Sequence, residues 1–348
     1  MSPDTRALVL SVLEGCVVDP PHGFQWFGQW IPTVSTREDP PDESFLRSLA
    51  LHLYLHVYCR GEVTARLPTP PAARAGEIRA LMTAHSLANP DRDRWDTGWT
   101  YLGSSKGSHL VRGQGLAFSV SAEEVRPRSG QSLHAGCDAE VLVPAERWSL
   151  SPGYMLFHGK RLLPPRSAGI RRTRLYLDLD VEDARRVIGM CRRFNDAKLP
   201  FTLKVAGLPD AYECRDDTVI LFVERDDYRR ASEILVAEAT RSGITPRPPI
   251  PAFTRRLASG VSVADDPHGT ESFGESRCRL LAAGILRAHE AGATTFESRL
   301  REVENAFLSA GMSFDRPHLE PGSEEYEIAF WSAWRLQDED QRREPTRS

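Results

Sequence analysis

From Arg172 to Asp180 the chain alternates. Thr173, Leu175, Leu177 and Leu179 fall on one side, and Arg174, Tyr176 and Asp178 on the other. A period of two predicts a strand with one apolar face. The run 181–198 changes to helical spacing, with Asp180 placed to cap it. "LPFTLKVAG" (199–207) predicts a second strand, with Phe201, Leu203 and Val205 inward and Lys204 on the opposite side. "DDTVILFVE" (216–224) predicts a third, followed by a helix over 225–243. The order strand–helix–strand–strand–helix predicts an α+β domain. Its helices would flank a mixed or antiparallel sheet on one face.

Elsewhere the pattern is less regular. Residues 1–60 read as helical, most clearly in "SFLRSLALHLYLHVY" (44–58), which "CRG" terminates. "RLPTPPAARAG" (66–76) reads as a connector. Residues 95–150 consist of short β-type runs broken by Gly, Ser and Pro. The best boundary is "LLPPRSAG" (162–169). It gives an N-terminal helical and β-rich region, 1–165, and an α+β domain, 166–340. "RPPIPAF" (247–253) reads as a rigid loop. Further helices are expected at about 274–291, 296–311 and 324–336, before a charged tail. No internal repeat is present.

Composition narrows the function classes. The 348 residues are 41% hydrophobic and 26% charged, with a formal charge of −4. These values describe a globular protein not built mainly to hold nucleic acid. No apolar run reaches the length of a membrane span. The start, "MSPDTRALVLSVLEG", lacks the layout of a signal peptide. The six cysteines form no C-x-x-C pair and are expected to be reduced thiols of a cytoplasmic protein.

Common catalytic signatures are missing. "GSSKGSH" (103–109) lacks phosphate-loop spacing, "GQGLAF" lacks the third glycine of a dinucleotide turn, and no G-x-S-x-G occurs. His52 and His56 share a helical face, but no Cys or acidic residue accompanies them, and a packing role is the commoner one for such a pair. The sequence therefore points to no metal and no organic cofactor.

What remains is a set of cations. Arg174 and Tyr176 share the polar side of the first strand, Lys204 that of the second, and Arg215 precedes the third. "DDPHGTESFGESRCRLLAAGI" (265–285) places Arg277 and Arg279 at the start of an apolar helix. Converging guanidiniums make a phosphate site, helped by a helix N-terminus. A lysine among them loses its proton more readily, because like charges and burial both disfavour the ammonium. A neutral amine beside a phosphate clamp is the apparatus of β-elimination. The alternative is an ordinary solvated strand face.

The segments "TRLYLDLD", "LPFTLKV", "YECRDDTVILFV", "DDPHGTESFGESRCRLLAAGI" and, further upstream, "YLHVYCRG" resemble the HopA-type type III effector family. The likeness covers most of the chain and is strongest over about 170–320. Family members occur as plant-pathogen effectors. They also occur in actinobacterial clusters for class V lanthipeptides and thioamitides. There a separate kinase-like phosphotransferase phosphorylates Ser or Thr of a precursor peptide, and the HopA-like protein eliminates phosphate. A more distant likeness is to OspF/SpvC-type phosphothreonine lyases and the lyase domains of class III lanthipeptide synthetases. In those enzymes a Lys-x-His strand carries the acid, a Trp-Lys-Val strand the base, and later arginines the phosphate. The resemblance puts Lys204 at the base, Arg174 at the first basic position and Tyr176 at the acid histidine. Arg215, Arg277 and Arg279 become phosphate ligands, and Phe222 falls where those lyases have a tyrosine. Tyr176 is then an acid, made more acidic by neighbouring cations, or a phosphate ligand. His158 and His268 are rival acids.

The resemblance thus implies a cytoplasmic phospho-Ser/Thr lyase in ribosomal peptide natural-product biosynthesis. It needs no cofactor, works with a phosphorylated precursor peptide and a kinase partner, with region 1–165 for peptide or partner binding, and leaves dehydroalanine or dehydrobutyrine. The alternatives are a non-catalytic phosphopeptide- or kinase-binding scaffold, and an effector acting on host phosphoproteins.

Overall fold

The computed structural model describes residues 3–34, 40–65 and 75–331, except 106, 114, 129–131, 149–152, 165, 167 and 168. Most of the 66–76 connector and the 338–348 tail lie outside the described residues.

The chain opens with α1 (Pro3–Gly15), then three short strands, β1 (Cys16–Asp19), β2 (Gly23–Trp26) and β3 (Gln29–Pro32). These form an antiparallel meander where the sequence reading had only helix. The apolar residues there are interrupted by the turn residues Pro20, Pro21 and Gly28, so no helical period survives them. α2 (Pro41–His56) and α3 (Ala75–Ala88) follow. A five-stranded antiparallel sheet comes next, as the β-rich composition of 95–150 predicts. It uses β4 (Arg94–Ser105), β5 (Ser108–Gly113), β6 (Leu116–Val120), β7 (Val125–Pro127) and β8 (Asp138–Val143) in the order β6-β5-β4-β8-β7.

The central sheet is seven-stranded and wholly antiparallel. Its strands are β9 (Glu146–Arg147), β10 (Tyr154–His158), β11 (Arg172–Leu177), β12 (Phe201–Ala206), β13 (Val219–Glu224), β14 (Arg255–Ala258) and β15 (Val261–Asp265). They run in the order β14-β15-β11-β13-β12-β10-β9. β9 and β10 precede residue 165 in sequence, so the sheet draws strands from both sides of the 162–169 segment. Its helices are α4 (Val181–Gly189), α5 (Cys191–Asp196), α6 (Ala211–Cys214), α7 (Tyr228–Ser242), α8 (Phe273–Glu290) and α9 (Phe296–Ser309). The helix expected at 324–336 is absent over 324–328, a 3-10 turn forms at Ala329–Trp331, and 332–336 lie outside the described residues.

Helices cover both faces of the sheet, not one as the sequence reading has it. Leu175, Leu177, Leu203, Val205, Leu221 and Val223 pack with residues of α4, α5 and α7 such as Ile188, Phe194 and Leu235. The opposite face, with Tyr176, Ile220, Phe222 and Ala264, packs under Phe45, Leu49 and Leu53 of α2 and Phe273, Cys278 and Leu281 of α8. The reason lies in composition. The second face is apolar at Ile220, Phe222 and Ala264, and an antiparallel face of that kind needs its own cover. None of the six cysteines is in a disulfide. Among the described residues no helix is long and apolar enough to cross a membrane.

Candidate functional site

The register of the central sheet assembles the site. Tyr176 on β11 pairs with Ile220 on β13, and Ile220 pairs on its other side with Lys204 on β12. Tyr176 and Lys204 therefore share one row and one face, separated by a single strand. Arg174 lies on the same face one step along, opposite Phe222, and its guanidinium sits over the Phe222 ring at 5.0 Å.

Lys204 is half-buried, and its Nζ rests 4.0 Å from the centroid of the Tyr154 ring. Among the described residues its ammonium has no hydrogen-bond or ion-pair partner. Burial is the main cause that pushes its pKa down to about 8; Asp217 opposes the shift, and the positive Arg174 and Arg215 add to it.

Arg215 flanks the lysine. It forks onto Asp217, with Nε 2.8 Å from Oδ1 and Nη2 3.0 Å from Oδ2, and Nη2 also donates to the Tyr54 hydroxyl at 2.8 Å. The Tyr154 hydroxyl donates to the same Asp217 at 3.3 Å. On the other flank, Arg174 donates through Nε to Asp266 at 2.6 Å. Asp266 also receives Arg166, at 2.8 and 3.0 Å, and Arg172. Burial pushes the Asp266 carboxyl upward, but the three guanidiniums prevail and hold it down at about 2.

Tyr176 departs from the sequence expectation. It is fully buried, and burial, the largest cause, raises its pKa against the opposing pull of Arg174 and of hydrogen bonds from Tyr58 and Arg174. The neighbouring cations do not make it a stronger acid. It stays protonated and can donate a hydrogen bond. Of the two rival acids, His158 lies on the Lys204 face of β10, opposite Thr202. Burial, with Arg147 and Arg94, pushes it down to about 4, so it is neutral at pH 7 and has no proton of that kind to give. His268 is exposed in the loop before α8.

Arg277 and Arg279 do not join this group. Arg277 is fully buried and donates to Pro317 O (2.6 Å), Leu319 O (3.3 Å) and Glu320 Oε1 (2.8 Å). It fastens the 317–320 loop to α8. Arg279, two positions on, is turned to the exposed side and pairs with Glu271 at 3.0 Å. The structure brings together Lys204, Tyr176, Arg174 and Arg215, and sets the other two apart.

Several site residues escape a reading of sequence alone. Tyr54 and Tyr58 come from the end of α2 and the turn after it, and Phe273 from the first turn of α8. Phe273 packs 6.1 Å from Tyr58 and 6.3 Å from Tyr176 between ring centroids. Gly274 makes that approach possible, since a Cβ there would lie 2.4 Å from the Tyr58 ring. Ser272 caps α8 above the site, in a capping box with Glu275. The i, i+4 spacing of Tyr54 and Tyr58 was the available signal for two of these, but not for what they contact.

His52 and His56 stack on one another at 4.0 Å against Trp26. Burial pushes His52 down to about 3, as packing histidines require. Among the described residues no group of three His, Cys, Asp or Glu is placed to hold a metal ion. A groove of about 1000 Å³ lies elsewhere, lined by Leu8 of α1, Phe253, Arg256 and His318 among others, and includes none of the residues gathered around Lys204. Its size alone supplies no chemistry, whereas the Lys204 cluster does.

No curated protein matches the chain. Similar solved structures include two effector proteins. One is the effector protein from Pseudomonas syringae pv. tomato strain DC3000, at 13% identity and TM-score 0.43, covering 78% of this chain and 90% of that one. The other is the effector protein from Pseudomonas syringae pv. syringae strain 61, at 14% identity and TM-score 0.44, covering 79% and 96%. The family model of the HopA1 effector protein family matches residues 145–319, a span that holds every strand of the central sheet and the helices α4 to α9. The chain belongs to the HopA1 effector protein family.

Proposed function

We propose that this protein is a phosphoserine/phosphothreonine lyase. Its substrate would be a precursor peptide phosphorylated by a separate kinase-like phosphotransferase, with which it forms a complex in the cytoplasm. The observation that carries the reading is Lys204: a half-buried amine with its pKa lowered to about 8, without an ion-pair partner among the described residues, flanked by two arginines.

In the proposed reaction neutral Lys204 Nζ takes the Cα proton of the phosphorylated residue. The electron pair of that C–H bond becomes the Cα=Cβ double bond, and the Cβ–O bond breaks with its electrons leaving on phosphate. The products are dehydroalanine or dehydrobutyrine, inorganic phosphate and a Lys204 ammonium that returns its proton to solvent. Arg174 and Arg215 each use Nε and Nη2 on an internal carboxylate. The Nη1 edge of Arg215 is the part suited to phosphate oxygens, while Arg174 Nη1 lies 3.5 Å from the Tyr176 hydroxyl, so Arg174 contributes chiefly as a fixed positive charge. The Tyr176 hydroxyl, protonated but fully buried and 3.5 Å from Arg174 Nη1, is suited to orient that guanidinium, and the leaving phosphate takes its proton from solvent.

One observation favours a second reading, a scaffold that binds phosphopeptide or kinase without cleaving it. Asp266 and Asp217 already occupy the forks of Arg174 and Arg215, so a phosphate meets partly committed guanidiniums. The test is to mix a phosphopeptide with wild type or Lys204→Ala and follow loss of phosphoric acid by mass spectrometry. The lyase reading expects elimination by wild type alone. Binding without elimination, with the kinase present, supports the scaffold, and equal activity in the variant removes Lys204 from its role. Elimination confined to a host phosphoprotein would support the effector reading instead.

A further inference from the structure

We propose that Tyr154 is a positioning residue for Lys204: a platform, held by Asp217, on whose aromatic face the ammonium rests. The inference rests on Lys204 being the reactive amine of the site.

Tyr154 begins β10, the strand next to β12, and pairs across with Ala206 while Lys204 pairs with Leu156. Its side chain is thus diagonal to Lys204 on the same face. The Nζ lies 4.0 Å from the ring centroid, within reach of a cation–π attraction. The ring is not free to turn away. It is buried, and its hydroxyl donates to Asp217 Oδ1 at 3.3 Å. Asp217 is itself 2% exposed and clamped by the Arg215 fork. Arg215 lies 5.5 Å from the same ring, so one aromatic group spaces the two cations that a phosphorylated substrate would meet.

A buried amine needs a support that does not abolish its basicity. A carboxylate in direct contact would hold the proton too firmly for neutral-pH chemistry, whereas an aromatic face stabilises the ammonium only modestly. The platform keeps Asp217 one residue removed from the lysine. It fixes the direction of Nζ and receives the charge when the amine takes a proton.

The experiment is a titration of the Lys204 amine by competitive acylation across pH, read by mass spectrometry, alongside kcat and KM for phosphopeptide elimination. The variants are Tyr154→Phe, Tyr154→Leu and, with the shape of the ring kept and its charge distribution reversed, pentafluorophenylalanine at position 154. Tyr154→Phe keeps the face and should hold the Lys204 midpoint within a few tenths of a unit. Tyr154→Leu and the fluorinated ring should lower it by about half a unit to one unit, with kcat down roughly tenfold or more and KM little changed. The fluorinated ring preserves packing where leucine does not fold. An unmoved midpoint in the fluorinated protein overturns the proposal. So does an equal loss of kcat in the phenylalanine and fluorinated proteins, which would assign the effect to the hydroxyl. The titration needs no elimination, so absence of activity in wild type defeats the lyase reading while the platform is still decided.

Discussion

Replacing Lys204 by methionine should make the protein more stable. The amine is held at about 8 against an ordinary 10.5, so the folded state binds its proton less well than the unfolded chain does. At 1.36 kcal/mol per unit, that difference corresponds to about 3 kcal/mol. It is an upper value, because the side chain is only half-buried. About 1–3 kcal/mol of gain for Lys204→Met at pH 7 is the working expectation. Methionine retains the length of the aliphatic stem, so the change is chiefly one of charge. The sign also fixes the pH dependence. Below pH 8 both states carry the proton and the full penalty applies. Between pH 8 and 10.5 the folded state releases it first, and wild type gains stability with rising pH. Above 10.5 the penalty is gone. Urea unfolding of the two proteins at pH 7 and at pH 10.5 measures this directly, since every other titrating group is common to both. A variant no more stable than wild type at pH 7 would refute the reasoning. So would a gap that fails to narrow at high pH.

Three further outcomes follow from the same geometry. Elimination should rise with pH on a limb near 8, because only about a tenth of the amine is neutral at pH 7; a pH–kcat profile flat between 6 and 9 counts against Lys204 as the base. Arg277→Ala should cost roughly 3–5 kcal/mol in urea unfolding by stranding Glu320 and two carbonyls, while Arg279→Ala stays within about 0.5 kcal/mol and keeps wild-type activity. Asp266→Asn should lose about 3 kcal/mol at neutral pH by leaving Arg166, Arg172 and Arg174 without their counter-ion. The Asp266 carboxyl is depressed to about 2, so its contribution is present above about pH 4 and fades as pH falls towards 2, and the gap between the two proteins should close over that window.

The strand chemistry was legible because it is local. Alternation along 172–177 separates Thr173, Leu175 and Leu177 from Arg174 and Tyr176, and burial follows that division into two different cores. The position of Lys204 opposite Phe201, Leu203 and Val205 follows from the same period. The hairpin β14–β15 was hidden because its two short runs flank Ser259 and Gly260 without marked alternation, and Gly260 turns the chain at φ +61°. The contribution of α2 could not be read at all, since Tyr54 meets Arg215 across 161 positions of chain. The Arg277–Arg279 pair was misjudged for a physical reason that the sequence does contain. Two residues along a helix is a turn of about 200°, so both guanidiniums cannot face one pocket. Phe273, Arg277, Leu281 and Ile285 repeat at four-residue spacing, which puts Arg277 on the buried stripe and Arg279 off it.

That contrast separates the arginines of this fold by what holds them. Arg277 gives its donors to carbonyls and Glu320 and has become part of the core. Arg174 is also buried and Arg215 half-buried, but each is gripped by one carboxylate; Arg215 Nη1 has no partner among the described residues, whereas Arg174 Nη1 lies 3.5 Å from the Tyr176 hydroxyl. A guanidinium oriented in this way has already given up the rotamer freedom that a flexible surface arginine would lose on meeting a phosphate. The same desolvation that fixes the two arginines also lowers the Lys204 pKa, and Asp217 ties the effects together because it holds Arg215 and anchors the ring beneath the amine. Positive charge at this site is therefore divided between groups that cannot lose a proton and one that can. Binding of an anion and removal of a proton from it require that division, and a uniformly solvated basic patch, with every amine protonated at pH 7, does not provide it.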